Sequence, residues 1–266
     1  MIKHPVMRYH GGKFRLAKWI TSFFGEHYFY TEAYGGAASV LMHKEPAYSE
    51  VYNDMDGDVV NLFRVLKDPA SNERLRELCA FTPYSRDEFK NAFDATEEDP
   101  VIRALNMVVR ATMGFGTAAG VGGNSGFRSD SKRKYATASH LWARYPDNLA
   151  SVGERLAGVM IENKPATEVI LKHDCEFTLH YVDPPYVHNT RVAGNRSYRH
   201  EMSDNDHEEL IAVLSSVKGR VLLSGYDCDL YRDCLAGWRV ETKPSRISAG
   251  RGTKVKNEML WISPDK

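Results

Sequence analysis

The sequence is short of cysteine, has no net charge and contains no long apolar run, and each shortage removes a class of protein. Its four cysteines, Cys79, Cys175, Cys228 and Cys234, form no C-x-x-C pair. Neither a zinc site nor a redox couple is therefore expected. His173, His180 and His188 lack metal-ligand spacing, so no metal is expected. No run of apolar residues reaches the length that a membrane crossing needs. The opening stretch MIKHPVMRYHGGKFR is charged and has no apolar centre, unlike a secretory peptide, and the cytoplasm is the expected compartment. The dinucleotide fingerprint G-x-G-x-x-G is missing, which counts against a nicotinamide enzyme. Basic and acidic residues balance at 35 each, which argues against a protein that only coats nucleic acid.

The balance hides an uneven distribution. Residues 110–144 hold six basic side chains and one acidic, Asp130, and residues 239–256 hold six basic and one acidic, Glu241. Clustered base on a neutral chain can build a phosphate-binding face, or it can be ordinary mixed surface. With 266 residues there is room for one large domain or for a core carrying an insertion.

Patterns of helix period alternate with short β-rich runs at both ends of the chain. Leu16, Trp19, Ile20, Phe23 and Phe24 line one helical face. YFYTEA (28–33) and YSEVYN (48–53) read as strands, with a helix-like run at 37–43 between them and a helical stripe from Val59 to Leu66 after them. EFTLHYV (176–182), RVLLSGY (220–226), WRVETKP and NEMLWIS read as further strands. Ser203 to Asp206 reads as a capping box before a helix. Alternating strands and helices predict a parallel sheet with crossover helices. Residues 68–165 show no convincing strand. They hold helical stretches, one opened by Asp99-Pro100, and a glycine-rich loop, GFGTAAGVGGNSGFRSDSKRKY. The expected organisation is one α/β domain built from 1–67 and 166–266, with a mainly helical insertion at 68–165.

The tetrapeptide Asp183-Pro184-Pro185-Tyr186 follows a predicted strand, at the end where open α/β sheets place their sites. Consecutive prolines offer no backbone N–H, so this loop presents acceptors only: the Asp183 carboxylate and a carbonyl. An amino group with two hydrogens suits it, and Tyr186 could stack on the ring that bears the amine. Accepting those hydrogens draws the amine lone pair out of conjugation and aims it at an electrophile. The alternative is a simple proline turn, but a chance match of these four residues in such a chain is on the order of one in a thousand. The turn Thr31-Glu32-Ala33-Tyr34-Gly35-Gly36 lets a ligand approach the backbone, or is merely a tight βα turn. Asp54 ends the second strand, where an acid commonly holds ribose hydroxyls, and Asn53-Asp54 could equally cap the next helix. Lys13, in YHGGK before the first helix, opposes the helix dipole and suits a ligand carboxylate.

Taken together, RYHGGKFRLAKWI (8–20), TEAYGGAASVL (31–41), NDMDGDVVNLFRVLKD (53–68), YVDPPYV (181–187), the helix start at Asp206-His207 and LSGYD (223–227) resemble the Dam-like DNA adenine methyltransferases. The resemblance covers both ends of the chain and little of the middle. It departs at Ala33, where proline is usual, and at Ala38, where a further glycine is usual. It implies a Rossmann-like core that uses S-adenosylmethionine (SAM) and releases S-adenosylhomocysteine. The resemblance and the turn place Tyr9, Lys13, Glu32, Tyr34, Gly35, Gly36, Asp54 and Asp183 at the cofactor. It implies that Asp183, Pro184 and Tyr186, with Pro185 between, hold an adenine flipped from double-stranded DNA. Arg110, Arg128, Lys132, Arg133 and Lys134 are the expected DNA contacts in the insertion. Other readings are a methyltransferase of RNA adenine, protein or cytosine N4, and a non-catalytic DNA-binding module with a degenerate pocket.

Overall fold

Among the described residues, seven strands form one sheet in the order β3-β2-β1-β4-β5-β7-β6. They are β1 (Phe29–Glu32), β2 (Ser49–Asn53), β3 (Val159–Glu162), β4 (Thr178–Val182), β5 (Arg220–Gly225), β6 (Arg239–Ala249) and β7 (Gly252–Ile262). The computed structural model describes residues 2, 4–93, 96–116, 126–129, 137–187, 199–249 and 252–265, and the side chains of 246–249 and 252–254 lie outside that description. The pairings among β1 to β5 are all parallel, whereas β7 runs antiparallel to both β5 and β6. This is the Rossmann-like arrangement that the resemblance implies.

The strands form because their residues satisfy two faces at once. In β4, TLHYV, every residue is buried, as a central strand covered by helices on both sides requires. Tyr181 points into the core with Tyr30 and Tyr52. The next residue, Val182, points into the opposite core with Val221, Leu223, Leu210 and Leu214.

Among the described residues there are ten helices: α1 (Ala17–Thr21), α2 (Gly57–Lys67), α3 (Pro69–Phe81), α4 (Arg86–Asn91), α5 (Pro100–Met113), α6 (Ala138–Ala143), α7 (Tyr145–Leu156), α8 (Ala166–Lys172), α9 (Asp204–Ser216) and α10 (Asp229–Cys234). Capping residues fix where several of them start. Asp68 accepts from Ser71 N at 2.9 Å, and Asp99 accepts from Val101 N and Ile102 N at the head of α5. At α9 the expected capping box is present, with Ser203 and Asp206 bonded reciprocally.

Two local expectations fail. β3 lies inside 68–165, and it pairs with β2 from Glu50↔Val159 to Asn53↔Glu162. The sheet therefore takes its edge strand from the stretch that reads as strandless. VMIE is only four residues long, and Met160 on its outer face is 45% exposed, so it carries little strand signal. The run at 37–43 forms successive turns and no regular helix. There Ala38 adopts φ 51°, outside the helical region. α3 to α7 pack on α2 and on one another, and their buried residues Leu75, Phe89, Met107 and Leu149 join the same core as Tyr30 and Phe63.

Candidate active site

β1 is bonded to β2 on one side and to β4 on the other, so the chain's progression across the sheet reverses between β1 and β4. Such a switch point leaves a crevice at the carboxyl ends of the strands. There lies a cavity of about 420 Å³, within the range of small-molecule sites. Glu32 ends β1, Asp54 follows β2 and Asp183 follows β4, and all three line it. So do Tyr9, Lys13, Tyr34, Gly35 and Gly36, which brings the eight residues expected at a cofactor around one space. Pro185 also faces the cavity, while Pro184 and Tyr186 are buried behind it.

The turn after β1 is built by close approach. A side chain at Gly35 would stand 2.1 Å from the Tyr52 ring, and Gly36 adopts φ +48° with the Tyr9 ring against it. Only glycine fits the first position, and it fits the second best. Tyr52 then donates its hydroxyl to the Gly36 carbonyl at 2.7 Å. Glu32 is buried and accepts from the Tyr30 hydroxyl and from Leu41 N, both at 2.8 Å. Burial pushes its carboxyl up to about 8, against the pull of those two hydrogen bonds.

Of the two readings for Asp54, the helix cap goes to a neighbour. Asp56 caps α2 by accepting from Asp58 N at 3.0 Å. Asp54 instead accepts from Gly36 N and Asp56 N, each at 2.8 Å, and so ties the end of β2 to the turn after β1. Burial raises its carboxyl to about 6, opposed by the backbone hydrogen bonds from Asp56 and Gly36. Asn53 bridges the Ala33 carbonyl and the backbone of Lys164, which fixes the floor beside it.

Lys13 is paired within the protein. Its Nζ lies 2.8 Å from each oxygen of Asp183 and 2.9 Å from the Gly11 carbonyl. It also lies 3.6 Å from Glu258 and 4.9 Å from the centre of the Tyr186 ring. Burial raises the Asp183 carboxyl, and the ammonium of Lys13 opposes this. Tyr186 donates its hydroxyl to Glu258 and meets the Tyr226 ring edge-on at 4.5 Å.

The sequence reading misses Glu258, Arg199 and the wall at Pro165, Ala166 and Thr167. Arg199 lines the cavity and pairs with Asp56 at 2.8 Å and Asp58 at 3.0 Å. Asp58 pairs in turn with Arg103 of α5 at 2.8 Å. No pattern in the sequence marks Arg199, which is one of many arginines in polar surroundings.

The expected DNA contacts divide in two groups. Lys132, Arg133 and Lys134 lie outside the described residues. Arg110 is buried on α5, donates to the Ala92 carbonyl and lies over the Phe93 ring. Arg128 is 5% exposed, and the Tyr84 hydroxyl bonds its carbonyl at 2.6 Å. In this structure neither arginine stands on an open face, so a DNA contact by either requires rearrangement. Next to Arg128, Phe127 bridges Gly114 and packs on Tyr84 and Phe89. This brings Phe127, inside the glycine-rich stretch, back to its start at Gly114.

Among the described residues, no group of three or more His, Cys, Asp or Glu is arranged to hold a metal ion. No helix among them is long and apolar enough to cross a membrane. No curated protein matches the chain. A family profile described as D12 class N6 adenine-specific DNA methyltransferase matches residues 9–246. With that match spanning most of the sequence, and with an acidic and glycine-lined crevice at the switch point of a Rossmann-like sheet, the chain belongs to the D12 class of N6 adenine-specific DNA methyltransferases.

Proposed function

We propose that the cavity holds SAM, with Tyr9, Lys13, Glu32, Tyr34, Gly35, Gly36 and Asp54 around it. The residues fit that group. Gly35 and Gly36 leave the backbone open to close approach, and Asp54 offers carboxylate oxygens where β2 ends. SAM supplies an electrophilic methyl group on a sulfonium. The chain's own residues prepare the nucleophile. Asp183 accepts hydrogen from the adenine amine, Pro184 and Pro185 keep competing N–H donors away, and Tyr186 offers a ring for the base. The base reaches them by leaving the stack of double-stranded DNA, at a cost of roughly a few kcal/mol. The observation that carries this reading is that one cavity is lined by both Asp183 and Asp54.

Residues 68–165 take the role of selecting the DNA site, and the basic surplus in 110–144 supports this. Arg128, Lys132, Arg133 and Lys134 supply phosphate or guanine contacts, and Arg110 acts by holding α5 to Ala92. The enzyme works in the cytoplasm, on double-stranded DNA. The test is to express the chain in a host lacking adenine methylation and to sequence its DNA for N6-methyladenine. Methyl marks at one recurring motif are the expected result. Unmodified DNA, or marks on cytosine or RNA, would overturn the reading. An Asp183→Ala control assigns the marks to this site.

A further inference from the structure

The antiparallel strand β7 enters the sheet from the catalytic side. It pairs Ile262 with Leu222 and Met259 with Gly225. Its earlier residues therefore reach the carboxyl ends of the parallel strands, where Asp183 and Tyr226 lie. Side chains alternate along a strand, so Lys256 and Glu258 project to the same face. Lys256 Nζ stands 3.6 Å from the centre of the Tyr226 ring, and Tyr226 packs on Tyr186. Glu258 reaches deeper. It is 3% exposed, accepts the Tyr186 hydroxyl and lies 3.6 Å from Lys13 Nζ. A carboxylate costs free energy when buried, and sheet formation at this position requires no acid.

We propose that Glu258 is a positioning residue for methyl transfer. It orients the Tyr186 ring through its hydroxyl, and it offers Lys13 a second carboxylate so that Lys13 can leave Asp183 when the target amine arrives. The inference rests on the reading of Asp183 and Tyr186 as the groups that hold the amine. Lys13 Nζ lies 2.8 Å from both oxygens of Asp183, donates a hydrogen bond to Oδ2, and stands 4.9 Å from the centre of the Tyr186 ring. An amine that is to use those oxygens must displace it. A buried ammonium moved off Asp183 with no second anion in reach would be left uncompensated. Glu258 is the neighbouring anion that receives it.

Two variants separate these duties. Glu258→Gln keeps an acceptor for the Tyr186 hydroxyl and removes the charge, and Glu258→Ala removes both. Single-turnover methylation of duplex DNA, calorimetric binding of SAM and thermal melting would be measured for each. The glutamine variant should be about 10-fold slower and the alanine variant about 100-fold slower, the range that losing a hydrogen bond to a charged group brings to a rate. Cofactor affinity and melting temperature should stay at the parent's values. Tyr186→Phe, added to Glu258→Ala, should slow the reaction little further, because both changes remove one interaction. A parental rate in Glu258→Ala, independent losses in the double variant, or a rate loss that follows loss of fold would each overturn the proposal. Asp183→Ala distinguishes the two levels of failure. If it stays active, the reading of the whole site is wrong. If it is inactive while Glu258→Ala is fast, only the role of Glu258 falls.

Discussion

The carboxyl edge of the sheet and the helical layer α3 to α7 place their acids in opposite ways. At the edge, Glu32, Asp54, Asp183 and Glu258 sit in or beside the cavity, and burial raises the carboxyl of each. In the helical layer, Asp68 and Asp99 sit at helix starts in contact with water, and hydrogen bonding lowers the carboxyl of each. The first group costs free energy to keep charged, and the second lowers it. Acids that oppose folding persist where they serve a reaction, and acids that serve folding sit where no reaction needs them. Substitutions should therefore damage activity in one region and stability in the other.

The largest effect is expected at Asp183. Asp183→Ala should slow methyl transfer by at least about 10²–10³-fold, the scale for losing one preorganised electrostatic partner. DNA affinity should hardly change, since it comes mostly from phosphate contacts. Methylation kinetics and a DNA-binding titration on the same preparation check both statements. A fast Asp183→Ala would break the comparison at its centre.

Next comes pH. Asp54 is raised from 3.8 to about 6. A folded-state value above the unfolded one means that the folded protein holds the proton longer. This contribution to stability is complete below 3.8 and is lost as the pH rises through about 6. Glu32, raised from 4.5 to about 8, extends the same fall towards neutral and mildly alkaline pH. Cofactor affinity should run the other way, since an ionised Asp54 holds hydroxyls more strongly than a protonated one. Calorimetry across pH 5–7 (about one unit either side of the Asp54 midpoint) should show tighter SAM binding as the pH rises, and Asp54→Asn should remove the component near pH 6. Affinity that is flat with pH in the parent would remove Asp54 from the cofactor.

In the helical layer, Asp99→Ala should cost about 1 kcal/mol of stability and leave turnover unchanged. It removes the acceptor for Val101 N and Ile102 N and the exposed pair with Arg74 at 2.7 Å. The pair adds little, because both side chains reach water. Chemical denaturation and the methylation rate check the two halves of the statement. A slowed reaction in a folded variant would mean that α5 and the cavity are coupled, through Arg103 and Asp58.

The same contrast explains what the sequence discloses. β1, β2, β4, β5 and the closing pair β6–β7 are legible because apolar runs end in turn residues. The Asp-Pro-Pro-Tyr loop is legible because its composition is rare. β3 is not, since four residues at a sheet edge carry too short an alternation. Glu258 is not, because an acid in NEMLWIS reads as the water-facing half of a strand, and only the antiparallel register turns it inward. Lys13 is legible as a site residue but not in its partner, since Asp183 lies 170 positions away. The buried state of Arg110 and Arg128 is equally hidden, because a basic run reads the same whether it faces DNA or a carbonyl.

The smallest effect sharpens the comparison within the cofactor turn itself. Ala38 stands where the resembled family usually has glycine, and it adopts φ 51°. A left-handed backbone costs an alanine roughly 1–2 kcal/mol that glycine avoids. Ala38→Gly relieves that strain, gives up a buried methyl group worth about 0.8 kcal/mol and gains unfolded-state freedom. These terms oppose one another, so the melting temperature should move little in either direction. Ala37 is also buried, and its backbone has no positive φ. Ala37→Gly therefore carries the same losses with no relief, and it should be destabilised by about 1 kcal/mol more than Ala38→Gly. Differential melting of the two variants measures the strain directly, because the deleted methyl group is common to both. Equal losses would mean that the turn holds no strain at Ala38. A smaller loss at Ala38 would mean that the turn keeps its shape against the preference of one of its own residues, as expected where a backbone is held for a ligand and not for folding.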